Sequence, residues 1–305
     1  MKRHSLTPRQ LFIILATVGL AGCASTTTAE PGTPVADPDR ETATDWTGLP
    51  SPSAMAVLDA TLWLQTSAEY VAMSRQIWRA AERLLPEALA DTTWSAALEQ
   101  QPGAGTLPPA VIVDVDETIL DNAPYAARLI ERDESFTEES WAAWVEQAKA
   151  HPVPGALEFV RAARDLDIEV FYVTNRLANL EQATRRNLDA MGFPPGEAED
   201  VHLLLGEREE WGSDKTTRRA WVAERYRVLL LAGDDLNDFL PARGLGVETR
   251  AELTERHEDR WGTQWIVFAN PTYGSWVSAV LEGLEPRSPA AVNQRKLESL
   301  RPRWD

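Results

Sequence analysis

Val111-Ile-Val-Asp114-Val-Asp116-Glu-Thr-Ile-Leu-Asp-Asn122 joins an apolar run to two aspartates one residue apart, with a threonine close behind. The run, which opens at Ala110, has the β-branched composition of a strand buried on both faces. Such a strand has no structural use for carboxylates at its end, because taking an unpaired charge out of water is costly. Open α/β sheets bind ligands outside the carboxyl ends of their parallel strands, and Asp114 falls at such an end. The plain alternative is an acidic strand exit that faces solvent. The rest of the chain decides between the two.

Downstream, residues 168–173, 201–205, 227–232 and 265–269 form further short apolar runs. Helical stretches separate them. One covers 156–166, led in by Pro154, and another covers 180–191, closed by Gly192. A third runs through Trp221, with Ser213 reading as its N-cap and Asp214 and Lys215 in its first turn. Strands alternating with helices predict an α/β fold with a Rossmann-like, doubly wound parallel sheet. Between the first two strands, 123–130 and 137–150 read as helices, the second with Trp141, Trp144 and Val145 on one face. Upstream, Leu58, Leu62, Gln65, Glu69, Met73 and Ile77 keep helical spacing within 51–90, and Pro86 is expected to interrupt it. These helices and the insertion predict a small helical part, 51–100 with 123–151, beside a core of 108–122 with 152–283. From 285 onward the chain is polar and peripheral.

Asp114, Asp116, Thr174, Lys215, Asp234 and Asp238 resist a purely structural explanation. Three of the sets follow strand ends directly, and Lys215 opens the helix after the third strand. In a parallel sheet those ends share one edge, so a single crevice receives them all. Asp114, Asp234 and Asp238 brought together repel one another, by about 4 kcal/mol for a pair about 4 Å apart at an effective dielectric near 20. A hard divalent cation removes that penalty, and carboxylates with few other ligands suit Mg²⁺. The Thr174 hydroxyl and the Lys215 ammonium suit phosphoryl oxygens. Nucleophile, second carboxyl, metal and cationic clamp together describe phosphoryl transfer.

Asp114-Val-Asp116-Glu-Thr118, Thr174-Asn175-Arg176, Lys215 and Gly233-Asp234-Asp235-Leu-Asn-Asp238 resemble, in order, the four motifs of the haloacid dehalogenase superfamily. The longer strings Asp116-Glu-Thr-Ile-Leu-Asp-Asn-Ala-Pro-Tyr125, Val153-Pro-Gly-Ala156, Phe171-Tyr-Val-Thr-Asn-Arg176 and Asn270-Pro-Thr-Tyr-Gly-Ser-Trp276 resemble the class C nonspecific acid phosphatases. Those are bacterial outer-membrane lipoproteins that hydrolyse phosphomonoesters, nucleoside 5′-monophosphates and aryl phosphates among them. The similarity runs from near Trp63 to near Gly283. It implies an acid phosphatase domain over 51–305, with Asp114 as the nucleophile that forms an aspartyl-phosphate. Asp116 is implied as the acid that protonates the leaving oxygen and then the base that deprotonates water. Thr174 and Lys215 are implied to bind the phosphoryl group, with Asn175 beside them as a substrate-binding residue. Mg²⁺ is implied on the Asp114 carboxylate, the Asp116 backbone carbonyl and Asp234, with Asp238 acting through water. Phe136, Trp141 and Tyr273 match positions that stack the substrate's base or aryl group, although core or surface packing accounts for aromatics equally well. Asp235 departs from the family, which commonly has Asn there, and an extra carboxylate near the metal is expected to alter its affinity or the acidity of its neighbours.

The formal net charge of −17 in 305 residues argues against nucleic acid or an anionic membrane face as a partner, since both need a basic footprint. At the N-terminus, Lys2, Arg3 and Arg9 precede a ten-residue apolar stretch over 11–20, too short for a transmembrane helix of about 20 residues. Leu20-Ala21-Gly22-Cys23 resembles the lipobox of bacterial lipoproteins, so 1–22 is read as a signal peptide and Cys23 as the lipidated first residue. Cys23 is the chain's single cysteine, which excludes an intramolecular disulfide. Residues 23–50, rich in Thr, Ala, Pro and Asp, read as a flexible tether. Ala24 after the cysteine favours an outer-membrane address, on the periplasmic or surface side. The expected partners are a phosphomonoester substrate and the membrane through the lipid on Cys23, and a homodimer is compatible with the reading.

Rival readings fail on particular residues. No Gly-x-x-x-x-Gly-Lys-[Ser/Thr] occurs, against a P-loop. A calcium loop opening at Asp114 needs Gly and Glu where Ile119 and Tyr125 stand. A phosphoacceptor signalling domain has its acidic pair first and a separate phosphorylated Asp later, and a dehalogenase lacks the second acid that Asp116 supplies. A non-catalytic surface lipoprotein that binds a nucleotide or haem is the alternative from another class, and the intact polar set argues against it.

Overall fold

Five parallel strands make one sheet in the computed structural model, which describes residues 50–301. The expected signal peptide, Cys23 and all but the last residue of the expected tether lie outside the described residues. In chain order the strands are β1 (Pro109–Val113), β2 (Leu120–Asp121), β3 (His151–Pro152), β4 (Glu169–Leu177), β5 (His202–Leu205), β6 (Arg227–Gly233) and β7 (Trp265–Val267). The helices are α1 (Pro52–Met55), α2 (Leu58–Thr66), α3 (Ala68–Ala90), α4 (Ala123–Glu131), α5 (Glu138–Val145), α6 (Ala156–Asp165), α7 (Glu181–Ala190), α8 (Thr216–Ala223), α9 (Val247–Arg256), α10 (Ser275–Val280) and α11 (Pro289–Glu298). The sheet order is β5-β4-β1-β6-β7. From β1 the chain moves to β4 and β5 on one side, then returns to lay β6 and β7 on the other. The point where the order reverses therefore lies between β1 and β6, the crevice where doubly wound sheets hold their ligands.

The β-branched and leucine-rich strands are buried on both faces, as the run at 110–113 predicts: Val111, Val113, Leu229 and Leu231 expose no surface. Trp78 of α3 fills the layer outside the sheet, its ring centroid 4.6 Å from both Phe159 of α6 and Phe268. Fully burying a side chain of that class is worth about 1.5–3 kcal/mol. Gly155, at the entrance to α6, has φ +96° and would bring a Cβ within 3.1 Å of the Trp78 Cβ, so both conformation and space require glycine.

Two local expectations are corrected, and a third holds. Pro86 does not interrupt α3, which continues to Ala90. It stands on the exposed face, while Trp78, Ala81, Leu85 and Ala88 on the other face carry the helix onward by burial. Ser213 does not cap α8. Lys215 occupies the N-cap position, and Asp214 accepts the Thr216 N–H at 2.8 Å instead. Beyond 285 the chain forms α11, a helix with no buried residue, in keeping with a peripheral position.

Candidate active site

β1 and β6 lie side by side, and the Asp114 N–H continues their ladder by bonding the Ala232 carbonyl at 2.9 Å. Their carboxyl ends therefore deliver Asp114 and Asp234 to the same point. Asp238 reaches it by a short turn. Asp235 accepts the Asn237 N–H at 3.0 Å, while Asp238 Oδ2 accepts the Asp235 N–H at 2.9 Å, which folds the Asp238 side chain back beneath β6. A Cβ at Gly233 would sit 2.1 Å from that Oδ2, so this fold-back requires glycine. Asp114, Asp234 and Asp238 each offer an oxygen, and these oxygens lie within 4.8 Å of one another.

Lys215 enters from the start of α8 and is buried. Its Nζ donates to Asp114 Oδ1 and, at 2.6 Å, to Asp238 Oδ1. Burial alone would lower the pKa of this ammonium, but the two carboxylates outweigh it and hold it above the usual lysine range. The acids respond in the opposite sense. Burial pushes Asp114 up to about 7, against the pull of Lys215 and helped by Asp238 and Asp116. Burial also raises Asp234 well above its usual range, with Asp114 and Asp238 adding to it. One ammonium does not offset three crowded carboxylates, and an oxygen-seeking divalent cation is the group that would keep them all ionised. The donor set fits such an ion.

Asp116 stands apart from this cage. Arg176, buried at the end of β4, reaches it with Nη2 at 2.7 Å and Nε at 3.1 Å from Oδ1. Asn122 Nδ2 adds a bond at 2.9 Å, and the Thr174 hydroxyl lies 3.5 Å from Oδ2. Glu117, in the left-handed region at φ 58°, accepts the Asn122 N–H and closes the loop after β1. Asn175, expected at the substrate, has both side-chain ends engaged: Nδ2 donates to the Ser213 carbonyl at 3.0 Å and Oδ1 accepts from Arg218 Nη2 at 2.6 Å. It ties the Thr174 loop to the segment that carries Lys215.

Arg218 and Arg219, both fully buried on α8, brace opposite walls. Arg218 also bonds the Thr174 carbonyl, and Arg219 bonds the Asn237 carbonyl at 2.8 Å and pairs with Glu99. Phe136 is exposed, and its ring lies 6.4 Å from that of Trp141. Tyr273, also exposed, sits on a separate loop whose Asn270 donates to Asp234 Oδ2 at 2.8 Å. Asp235 does not point at the cage. Its oxygens accept the Ser275 N–H and hydroxyl, both at 2.6 Å, besides Asn237. Its charge still contributes to raising Asp234.

Asn122, Arg176, Arg218, Arg219 and Asn270 escape a reading by residue type. Except for the nearby Asn122–Asp116 bond, their partners are mostly groups far along the chain, and only the arginine-rich start of α8 hints at buried cations.

The model of the HAD superfamily subfamily IIIB (acid phosphatase) matches residues 24–276. The chain belongs to this family. The five-stranded parallel sheet flanked by helices is in keeping with that family. The structure of the class C acid phosphatase from Bacillus anthracis is similar, with 28% identity and a TM-score of 0.72 over 83% of this chain and 99% of that one. The same enzyme with tungstate bound matches equally, at 27% identity and TM-score 0.72. Acid phosphatase 1 of Solanum lycopersicum is 32% identical over 135 residues, 42% of this chain. Vegetative storage protein 1 of Arabidopsis thaliana is 29% identical over 137 residues. The chain spans about half the length of these curated relatives.

Proposed function

We propose that this HAD family member is a Mg²⁺-dependent phosphomonoesterase that works through an aspartyl-phosphate on Asp114. The observation that carries the reading is the convergence of Asp114, Asp234, Asp238 and Lys215 at the switch point, with Asp116 and Thr174 adjoining. Asp114, Asp234, the Asp116 carbonyl and, indirectly, Asp238 would hold the cation, which when bound supplies charge neutralisation for the phosphoryl group. Asp114 attacks phosphorus, and the bond to the leaving oxygen breaks as Asp116 donates a proton to it. Water then attacks the phospho-enzyme while Asp116 takes the water proton back, and phosphate departs. Lys215 and Thr174 fix the phosphoryl oxygens through charge-assisted and hydroxyl hydrogen bonds.

Nucleoside 5′-monophosphates and aryl phosphates are the proposed substrates, with Phe136, Trp141 and Tyr273 as stacking surfaces. Asp114→Asn keeps the shape of the side chain but removes the nucleophile. Release of p-nitrophenol is expected to fall by about 10³-fold or more with the circular dichroism unchanged. Activity near wild type in that variant rejects the assignment.

The chain is further proposed to be lipid-anchored at the outer membrane through Cys23. Mass spectrometry of the membrane fraction should then find acyl chains on that residue, and a soluble, unmodified chain retaining residues 1–22 counts against it. A homodimer remains part of the proposal.

A further inference from the structure

Asp116 carries its hydrogen bonds unequally on its two oxygens. Oδ1 accepts Arg176 Nη2 at 2.7 Å, Asn122 Nδ2 at 2.9 Å and Arg176 Nε at 3.1 Å. Oδ2 has only Arg176 Nε at 3.2 Å and the Thr174 hydroxyl at 3.5 Å. The lone pairs of Oδ1 are fully used, whereas Oδ2 keeps capacity on the side where Thr174 stands. Resting on the phosphatase reading above, we propose that Arg176 and Asn122 are positioning residues that lock the Asp116 carboxyl so that Oδ2 alone carries and delivers the leaving-group proton.

The anchors are themselves held. Arg176 is 1% exposed, and its third nitrogen, Nη1, bonds Thr184 Oγ1 on α7 at 3.2 Å. Its guanidinium carbon lies 5.8 Å from the ring centre of Trp141 on α5. Asn122 Oδ1 accepts the Trp144 indole N–H at 2.8 Å, and Trp144 is on α5 too. The same helix therefore backs both anchors. Without them the carboxyl turns freely about Cβ–Cγ and exchanges its oxygens, and proton transfer needs a donor within about 2.6–3.2 Å of the departing atom. In the step concerned, an Asp114 oxygen forms its bond to phosphorus and the bond from phosphorus to the leaving oxygen breaks. The Oδ2 proton passes to that oxygen, leaving Asp116 as a carboxylate opposite Arg176.

Orientation of the acid matters in proportion to how much the leaving group needs a proton. An aryl oxide such as p-nitrophenolate departs with little help, and an alkoxide does not depart without it. The test compares kcat/KM, which reports phosphoryl transfer to Asp114, on p-nitrophenyl phosphate, phenyl phosphate and glycerol phosphate for wild type, Arg176→Gln, Arg176→Lys and Trp144→Phe. Arg176→Gln is expected to lose about 10²-fold or more on glycerol phosphate but about 10-fold or less on p-nitrophenyl phosphate. Arg176→Lys keeps the charge without the two-pronged geometry and should fall between. Trp144→Phe keeps the ring and loses the N–H, so it should steepen the same dependence by a smaller factor. Parallel losses on all three esters are what a merely structural role produces, and they overturn the proposal. If Arg176→Gln does not fold, wild-type leaving-group dependence in both Arg176→Lys and Trp144→Phe overturns it. A wild type inert toward every ester overturns the phosphatase reading and this inference together, whereas an active wild type with parallel losses overturns this inference alone.

Discussion

His202, at the start of the edge strand β5, lies almost flat on Tyr172, with ring centroids 5.0 Å apart and planes 14° from parallel. It is buried and its Nδ1 has no hydrogen-bond partner. Burial pushes its pKa down to about 4, with Arg185 adding to the shift and Asp200 opposing it. The unfolded chain therefore binds a proton here between about pH 6.5 and 4 that the folded chain refuses, so the stability this site supports is present above pH 6.5 and is lost as the pH falls. The whole shift is worth about 3 kcal/mol. His202→Phe keeps the stack on Tyr172 and removes the titration. Urea midpoints of variant and wild type should be similar at pH 7 and diverge in favour of the variant at pH 4.5. A constant difference across that range would show that the ring is protonated in the folded protein.

At the scale of elements, the turn after β6 is built as a rigid bracket. Asp235 joins it to Ser275 at the start of α10 and approaches Arg250 of α9, its oxygen 4.0 Å from Nη2. These contacts hold its carboxyl below the usual range even though burial opposes it. An amide at this position keeps an acceptor but loses one of the charged bonds. Asp235→Asn is expected to cost about 1–2 kcal/mol in unfolding free energy while changing the Mg²⁺ concentration for half-maximal activity less than about threefold. A tenfold change would place the carboxylate in direct contact with the ion.

The same bracket shows what a sequence exposes and what it hides. Strands buried on both faces leave short apolar runs, so β1, β4 and β6 are legible, and with them the strand-end residues Asp114, Thr174 and Asp234. The grip of Lys215 on Asp114 and Asp238 is a tertiary contact between a helix start and two strand ends, as are the braces from Arg176, Arg218 and Arg219. No local period records those partners. β2 and β3, two residues each, exist only because they pair with one another. Asp235 is legible only in part: its charge does raise Asp234, but its carboxyl is engaged by Ser275 and approached by Arg250, both remote in the chain.

For the molecule as a whole, the acid cage couples metal binding to global stability. With Asp114 and Asp234 raised, the folded state retains protons that the unfolded chain gives up above about pH 4. The contribution of the metal-free cage to stability therefore falls as the pH rises from about 4 through about 7, opposite in sign to that of His202. A divalent ion replaces those protons. Millimolar Mg²⁺ should raise the melting temperature more at pH 7.5 than at pH 5, and chelation should reverse the gain; an equal rise at both pH values would mean the ion binds elsewhere. The sheet order has a consequence for biogenesis as well. β1 emerges early but is the middle of the sheet, and its β6 neighbour begins only at Arg227. A growing chain must keep that apolar strand half-covered while more than a hundred further residues arrive, the kind of delayed pairing that invites aggregation. Any product truncated ahead of β6 therefore carries Asp114 but lacks Asp234 and Asp238, and has no cage to hold a cation.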